Sequence, residues 1–285
     1  MSKLQVLSLA ENQISGSIPN SLFKCKELMF LSLWNNSIEG SIPTEIGNLT
    51  VLQSLYLGYN NLKGEIPSVI GNLTSLKHIG LSHNNFSGEI PSGIGNLTSL
   101  ELIDLSENNL KGKIPSVIGN LTFLEEFELS DNNLTGQIPS SLCNLSSLKV
   151  LFLYKNSLDG EIPDCIGNMS SLSHIDLEKN NFHGKIPENF GKSCTLRSFR
   201  ISDNQIEGSL PRSLGNCKEL KLLDVGNNYL NDTFPNWLGN LDQLQVLILR
   251  SNRFYGEVGA QELQFPSLVY VSLIFLITTS VAIYL

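Results

Sequence analysis

The chain has 285 residues, 41% hydrophobic and 16% charged, a composition that describes an ordered protein and excludes a disordered tail. Its 19 Lys and Arg stand against 27 Asp and Glu, a formal net charge of −8 that leaves no concentrated basic face for nucleic acid. Length alone would admit one or two globular domains, but that expectation holds only where a sequence has no internal repeat.

Repeats set in at once. Units begin at Leu4, Leu28, Leu52, Leu76, Leu100, Leu124, Leu148, Leu172, Leu196, Leu220 and Leu244, each step 24 residues, with no insertion or deletion. The shared pattern is LxxLxLxxNxLxGxIPxxIGNLTx, and the unit from Leu52 shows it in full as LQSLYLGYNNLKGEIPSVIGNLTS. Within that unit Leu52, Leu55 and Leu57 bracket a short strand, and Leu62, Ile66, Ile70 and Leu73 add apolar positions off the strand period. Burying such side chains gains roughly 1.5–3 kcal/mol each, most of it offset by chain entropy. One unit cannot close that core alone, so neighbours must stack into a solenoid. With strands about 4.8 Å apart, eleven coils would run about 50 Å, the strands lining a concave side and irregular or 3₁₀ segments a convex one.

The ninth place of every unit is asparagine: Asn12, Asn36, Asn60, Asn84, Asn108, Asn132, Asn156, Asn180, Asn204, Asn228 and Asn252. A catalytic asparagine would appear once. Eleven in register predict a structural ladder, each amide bonding the backbone of its own and adjacent turns. Ten of the eleven prolines share one repeat position, from Pro19 to Pro235, as suits a turn that recurs once per coil. The recurrent glycine (Gly16, Gly40, Gly64, Gly88 and onward) is expected in a backbone conformation costly for other residues. Unit ten replaces it with Asp232, and unit eleven replaces Ile-Pro with Val258-Gly259, so the array loosens toward its end.

The repeat domain is assigned to residues 1–267. Residues 268–285, LVYVSLIFLITTSVAIYL, hold 14 apolar residues in 18, and no charge occurs after Gln264. A helix there would span about 27 Å, barely a bilayer core, and it is read as a transmembrane candidate and membrane anchor. A derailed twelfth repeat is the competing reading, because Leu268, Val271 and Leu273 fall on strand positions.

Five cysteines, Cys25, Cys143, Cys165, Cys194 and Cys217, show no CxxC spacing of a zinc or redox site. Cys25 and Cys217 stand where other units have Leu73 and Leu97 and read as small buried hydrophobes. Cys194 and Cys217 lie in neighbouring units at nearly equivalent positions, so a disulfide between them stays open.

Ligand-binding candidates are the strand residues that the core does not dictate. Units two and three place Phe30, Trp34, Tyr56 and Tyr59 on the concave face, aromatics that combine large area with a polar handle. Units five and six place Glu101, Asp104, Glu107, Glu125, Glu126, Glu128 and Asp131 there. Seven like charges on neighbouring strands repel, and a cationic peptide would relieve that cost. Units seven to nine add Phe152, Tyr154, Lys155, His174, Asp176, Arg197 and Arg200, a mixed-basic stretch. The bland alternative is that these are solvated surface charges.

Ten Asn-x-Ser/Thr sequons occur, at Asn35, Asn48, Asn72, Asn85, Asn96, Asn120, Asn133, Asn144, Asn168 and Asn231. Repetition of Gly-Asn-Leu-Thr inflates the count, but the acceptor asparagine of that turn is expected at a solvent-facing edge where a glycan fits. No catalytic, metal or cofactor residue is assigned, and the chain is expected not to be an enzyme. Its carboxylates sit on an open face without a pocket to shift their pKa. The four His (His78, His83, His174, His183) are scattered singly; His78 and His83 could approach, but two His make a poor metal site. There is no phosphate loop and no kinase motif set.

The LxxLxLxxNxLxGxIPxxIGNLT unit resembles the plant-specific class of leucine-rich repeat, seen in receptor-like kinases, receptor-like proteins and polygalacturonase-inhibiting proteins. Residues 231–258, NDTFPNWLGNLDQLQVLILRSNRFYGEV, look most like the kinase-less receptor-like proteins. The resemblance implies a β-rich α/β-class solenoid, a right-handed superhelix with a parallel concave sheet and a second short strand per coil near Gly-x-Ile-Pro. It implies a recognition module at the plasma membrane with extracellular repeats, in defence or developmental signalling, binding a peptide or protein ligand with a co-receptor kinase. A secreted inhibitor of a pathogen cell-wall hydrolase is the alternative. Such ectodomains begin with a signal peptide and a cysteine-paired cap; here Met1 precedes the first strand without an apolar leader, so a truncated, non-functional fragment is a further expectation.

Overall fold

The computed structural model describes residues 3–256, 267 and 269–272. They fall into two compact units, Met1–Asp159 and Gly160–Leu285.

In the first unit the strands Val6–Ser8, Phe30–Ser32, Ser54–Tyr56, His78–Gly80, Leu102–Asp104, Glu126–Glu128 and Val150–Phe152 pair in parallel, each residue opposite the one 24 places on. The repeat length is thus the sheet register. A second parallel sheet follows in every coil, with strands such as Ser37–Gly40, Asn61–Glu65, Asn85–Gly88 and Asn109–Gly112. Its register is 22 residues, as in Lys63 opposite Asn85. A 3₁₀ turn closes each coil, as at Thr44–Asn48 and Ser68–Asn72, entered from Pro43 and Pro67 in extended conformation.

The core is the seven apolar places of the repeat. Leu52, Leu55, Leu57, Leu62, Ile66, Ile70 and Leu73 are all buried. The ladder asparagine binds coils together: Asn60 donates through Nδ2 to the carbonyls of Leu33, Leu57 and Gly58 at 2.9–3.2 Å, and its Oδ1 accepts from the Ile38 N–H at 2.9 Å. That last bond spans 22 residues, the register of the second sheet. Gly64 has φ +84°, the left-handed conformation in which a side chain is strained. The residue before every ladder asparagine, from Glu11 to Ser251, is also left-handed, with φ of 51–57°, and turns the chain out of the first strand.

The second unit repeats the scheme with His174–Asp176, Ser198–Arg200, Leu222–Asp224, Val246–Ile248 and Tyr270–Ser272. Where Asp232 replaces glycine, the second-sheet strand shrinks to Tyr229–Leu230. One coil departs from the turn rule. Ser193 takes the place of the buried leucine and is exposed, no 3₁₀ turn forms over 188–193, and Cys194 is joined to Cys217 with a Cα–Cα distance of 4.7 Å. Cys217 is therefore a buried half-cystine and not the free hydrophobe that its position suggested, whereas Cys25 is buried and free.

The hydrophobic tail is described only at 269–272. Tyr270–Ser272 is a strand paired with Val246–Ile248 at the 24-residue register, the twelfth-repeat reading, and not part of a membrane helix. Residues 268 and 273–285 lie outside the described residues. Among those described, no helix is long and apolar enough to cross a membrane.

Candidate ligand-binding face

In the first unit, side chains alternate across each strand of the larger sheet, so positions two and four places after the unit's first leucine share the exposed face. The backbone ladder continues past the strands, with the N–H of Tyr59, His83, Glu107 and Asp131 donating to the carbonyls of Ser82, Ser106, Ser130 and Tyr154 at 2.9–3.0 Å. Residues further along each coil are thereby held in the same rows.

Aromatic residues from different coils meet. Phe30 lies against Tyr56 at 5.8 Å between ring centroids, Trp34 meets Tyr59 edge-on at 5.4 Å, and Tyr59 stacks on His83 at 3.8 Å. His78, in the row of Ser54, stacks on Tyr56 at 6.4 Å. His78 and His83 face different partners: Ser54 Oγ at 3.1 Å and Glu101 at 3.6 Å for the first, Glu107 at 2.7 Å for the second. Among the described residues no group of three His, Cys, Asp or Glu could hold a metal. Further along, Phe152 and Tyr154 pair at 6.4 Å, and Lys155 Nζ sits 5.9 Å from the Tyr154 ring.

Between these aromatic groups the face is low. Gly58, Ser82, Ser106 and Ser130 occupy one row between Trp34 and Tyr154, and all are buried. Gly80 lies in the row of Tyr56, Asp104, Glu128 and Phe152. The sequence reading, which looked for large and charged residues, passed over this floor; its signal was the run of small residues at two otherwise variable positions.

The acidic stretch is not seven mutually repelling charges. Glu101, Glu107, Glu125 and Asp131 pair with Lys77, His83, Lys149 and Lys155 at 3.0, 2.7, 2.6 and 2.8 Å. The Lys77 hydrogen bond holds Glu101 below the usual carboxylate range, and the Asp131 hydrogen bond raises Lys155. Asp104 accepts from the Ser106 N–H and hydroxyl at 3.1 and 2.6 Å. Glu126 and Glu128 have no cation beside them among the described residues. Burial, then the neighbouring Asp104 and Glu126, pushes Glu128 to about 7. The open face does shift a carboxylate, against expectation. Burial and Glu126 also raise Tyr56.

In the second unit both arginines of the mixed-basic stretch are paired with acids. Arg200 is held by Asp176 at 2.7 Å and by Glu178, and Arg197 by Glu219 at 2.8 Å. Burial raises Asp176 to about 6 and also raises Asp224, which accepts from Ser202 Oγ at 3.1 Å. Burial and Arg197 lower His174. Neither arginine is a free cation, and the surroundings of Arg200 are acidic. All ten sequon asparagines are exposed.

Family models for a leucine-rich repeat region and for the leucine-rich repeat match residues 1–113 and residues 122–182 and 194–254. Among curated proteins nothing matches. The chain is similar to the plant peptide hormone receptor RGFR1, solved in complex with RGF2, at 33% identity and TM-score 0.86, covering 94% of this chain and 47% of that one. It is similar to the ectodomain of the Arabidopsis receptor kinase HAESA, solved with an N-terminally extended IDA peptide hormone, at 40% identity and TM-score 0.86, covering 91% and 44%. A second HAESA structure, with the hormone and the co-receptor SERK1, matches at 30% identity and TM-score 0.52, covering 92% and 56%. The chain thus spans less than half the length of the first two of these receptors. Repeat, register and relatives agree: the chain belongs to the leucine-rich-repeat proteins of the plant type.

Proposed function

We propose that this chain is the ligand-recognition part of a plant cell-surface receptor-like protein, binding a peptide or protein segment along the exposed face of its larger sheet. The observation that carries the reading is the low floor from Gly58 to Ser130 with aromatic side chains at both ends, a shape that admits an extended chain. Aromatic anchors in a partly desolvated depression are the usual source of binding energy. The solved relatives bound to peptide hormones support a peptide as the occupant, and the SERK1 complex supports a co-receptor kinase as second partner. In this proposal signalling passes through that partner. The exposed sequons suit N-glycans on an extracellular chain.

The test is to pan the full chain, expressed through a secretory route, against a displayed library of random dodecapeptides. Peptides should be enriched on the wild type and lost on Trp34→Ala/Tyr56→Ala. Failure to enrich any peptide over a blank surface, or enrichment indifferent to those two rings, would overturn the reading.

A further inference from the structure

The shape of the face in the first unit says more than that something binds. Tyr56 and Phe152 stand at the ends of one row, with Gly80, Asp104 and Glu128 between them. Four strand spacings of about 4.8 Å separate them, or about 19 Å, the span of roughly six extended residues. The parallel row, from Trp34 to Tyr154, has only Gly58 and three buried serines as its floor. A chain laid there meets rings at each end and little side-chain bulk between.

Charge is distributed unevenly across this groove. At its margins three acids are neutralised in ion pairs, Glu101 by Lys77, Glu125 by Lys149 and Asp131 by Lys155, and Glu107 is held by His83. In the middle Asp104, Glu126 and Glu128 form no ion pair among the described residues. Asp104 and Glu128 are direct neighbours across the sheet, and Glu126 shares their face two residues along. They do not converge as a metal cage. Spread over two strands, they complement a long flexible cation better than a compact ion, and Tyr56 and Phe152 offer π faces to such a cation or its apolar neighbours.

We propose that this groove takes an extended cationic peptide segment, one lysine or arginine seated over Asp104 and Glu128 and the flanking residues lying against Tyr56 and Phe152. The inference rests on the reading of the face as a recognition surface and adds the charge, length and place of the ligand. An acidic or strongly anionic ligand is rejected by the same three carboxylates.

The probes are two fluorescein-labelled, amidated octapeptides, one of alternating lysine and valine, the other with glutamate for lysine, titrated into the full chain at pH 8 and 0.15 M salt. The lysine peptide should bind at least tenfold tighter than the glutamate peptide. Glu126→Gln/Glu128→Gln should weaken the lysine peptide about tenfold. Glu39→Gln/Glu65→Gln, an equal charge change on the second sheet, should weaken it less than twofold. Circular dichroism melts confirm that each variant is folded. Equal binding of the two peptides, or an equal loss in both double variants, overturns the cationic groove, the second because attraction would then follow only the net charge. If neither octapeptide binds while display-selected peptides still depend on Trp34 and Tyr56, the groove proposal falls and recognition by the face stands. If selected peptides are indifferent to those rings as well, both fall.

Discussion

The ring of Tyr56 lies over Gly80 of the next coil, with its Cδ1 3.0 Å from where a Cβ on that glycine would stand. Trp34 treats Gly58 the same way, its Cδ1 3.3 Å from the corresponding point. Neither glycine has a positive φ, so neither is there for backbone freedom. They are places where a side chain would lift an aromatic ring off the sheet and fill the groove.

Gly80→Leu should therefore separate folding from binding. Gly80 is buried beneath the Tyr56 ring and its strand hydrogen bonds are made by the backbone, so a leucine displaces the ring while the strand pairing stays, and the melting temperature should move by only a few degrees. Binding of any peptide selected on the wild type should fall at least tenfold. A Gly80→Leu chain that binds normally would show that the ligand does not use this groove.

Glu128 gives a pH signature. Its carboxyl is raised from 4.5 to about 7 in the folded chain by burial and by Asp104 and Glu126. Between those two values the folded state holds the proton more tightly than the unfolded chain does, so stability falls as pH rises through 7. Because the group is partly solvated, the effect is on the order of 1 kcal/mol after screening. Glu128→Gln should then melt about 2–4 °C above wild type at pH 8 and level with it at pH 5. Lower stability of the variant at pH 8 would contradict the placement. A charge retained at a cost to stability is what a ligand site explains and a solvated surface does not.

The coil architecture was legible because it is written eleven times. Leu52 through Leu73, Asn60 and Pro67 each recur at fixed spacing, and a recurring residue has a recurring environment. The face was half legible. Large residues such as Trp34 and Tyr56 announce themselves, but Glu101 and Glu107 looked like free acids because Lys77 and His83 sit a whole coil away in sequence. Pairing across 24 residues is a property of register, visible only once strands are laid side by side. The left-handed residue before each ladder asparagine was not legible either. Tyr59, His83 and Lys155 occupy it as readily as Asn35 does, so the conformation is imposed by the coil and not chosen by the residue. The tail was ambiguous because hydrophobicity alone cannot distinguish a sheet strand at Tyr270–Ser272 from the start of a membrane helix.

The ladder predicts its own cost. Asn132 donates to the carbonyls of Leu105, Leu129 and Ser130 at 3.0–3.2 Å and accepts from the Leu110 N–H at 2.9 Å. Asn132→Ala strands those buried groups, a loss of about 3 kcal/mol, and the melting temperature should fall by about 6 °C or more. Asn132→Asp keeps the acceptor but turns an anion toward three carbonyls, so it should be more damaging at pH 7 than at pH 4. A drop under 2 °C for the alanine variant would mean that water replaces the amide and the ladder is ornamental.

The Cys194–Cys217 bond answers a defect in the second unit. Ser193 stands where other coils bury a leucine, so the segment over 188–195 lacks the apolar side chain that pins a 3₁₀ turn to the core. The disulfide supplies the anchor, closing 23 residues of sequence, and a loop of that length is worth about 3 kcal/mol in the chain-entropy account. Cys194→Ser/Cys217→Ala should loosen this segment before the rest of its unit. Trypsin provides the measurement, since Lys192 is exposed beside the bond. Cleavage there should rise at least tenfold in the variant under native conditions, while cleavage at Lys218, in the next coil, rises much less. Equal protection of Lys192 with and without the bond would show that Phe190, buried at the neighbouring core position, holds the segment by itself.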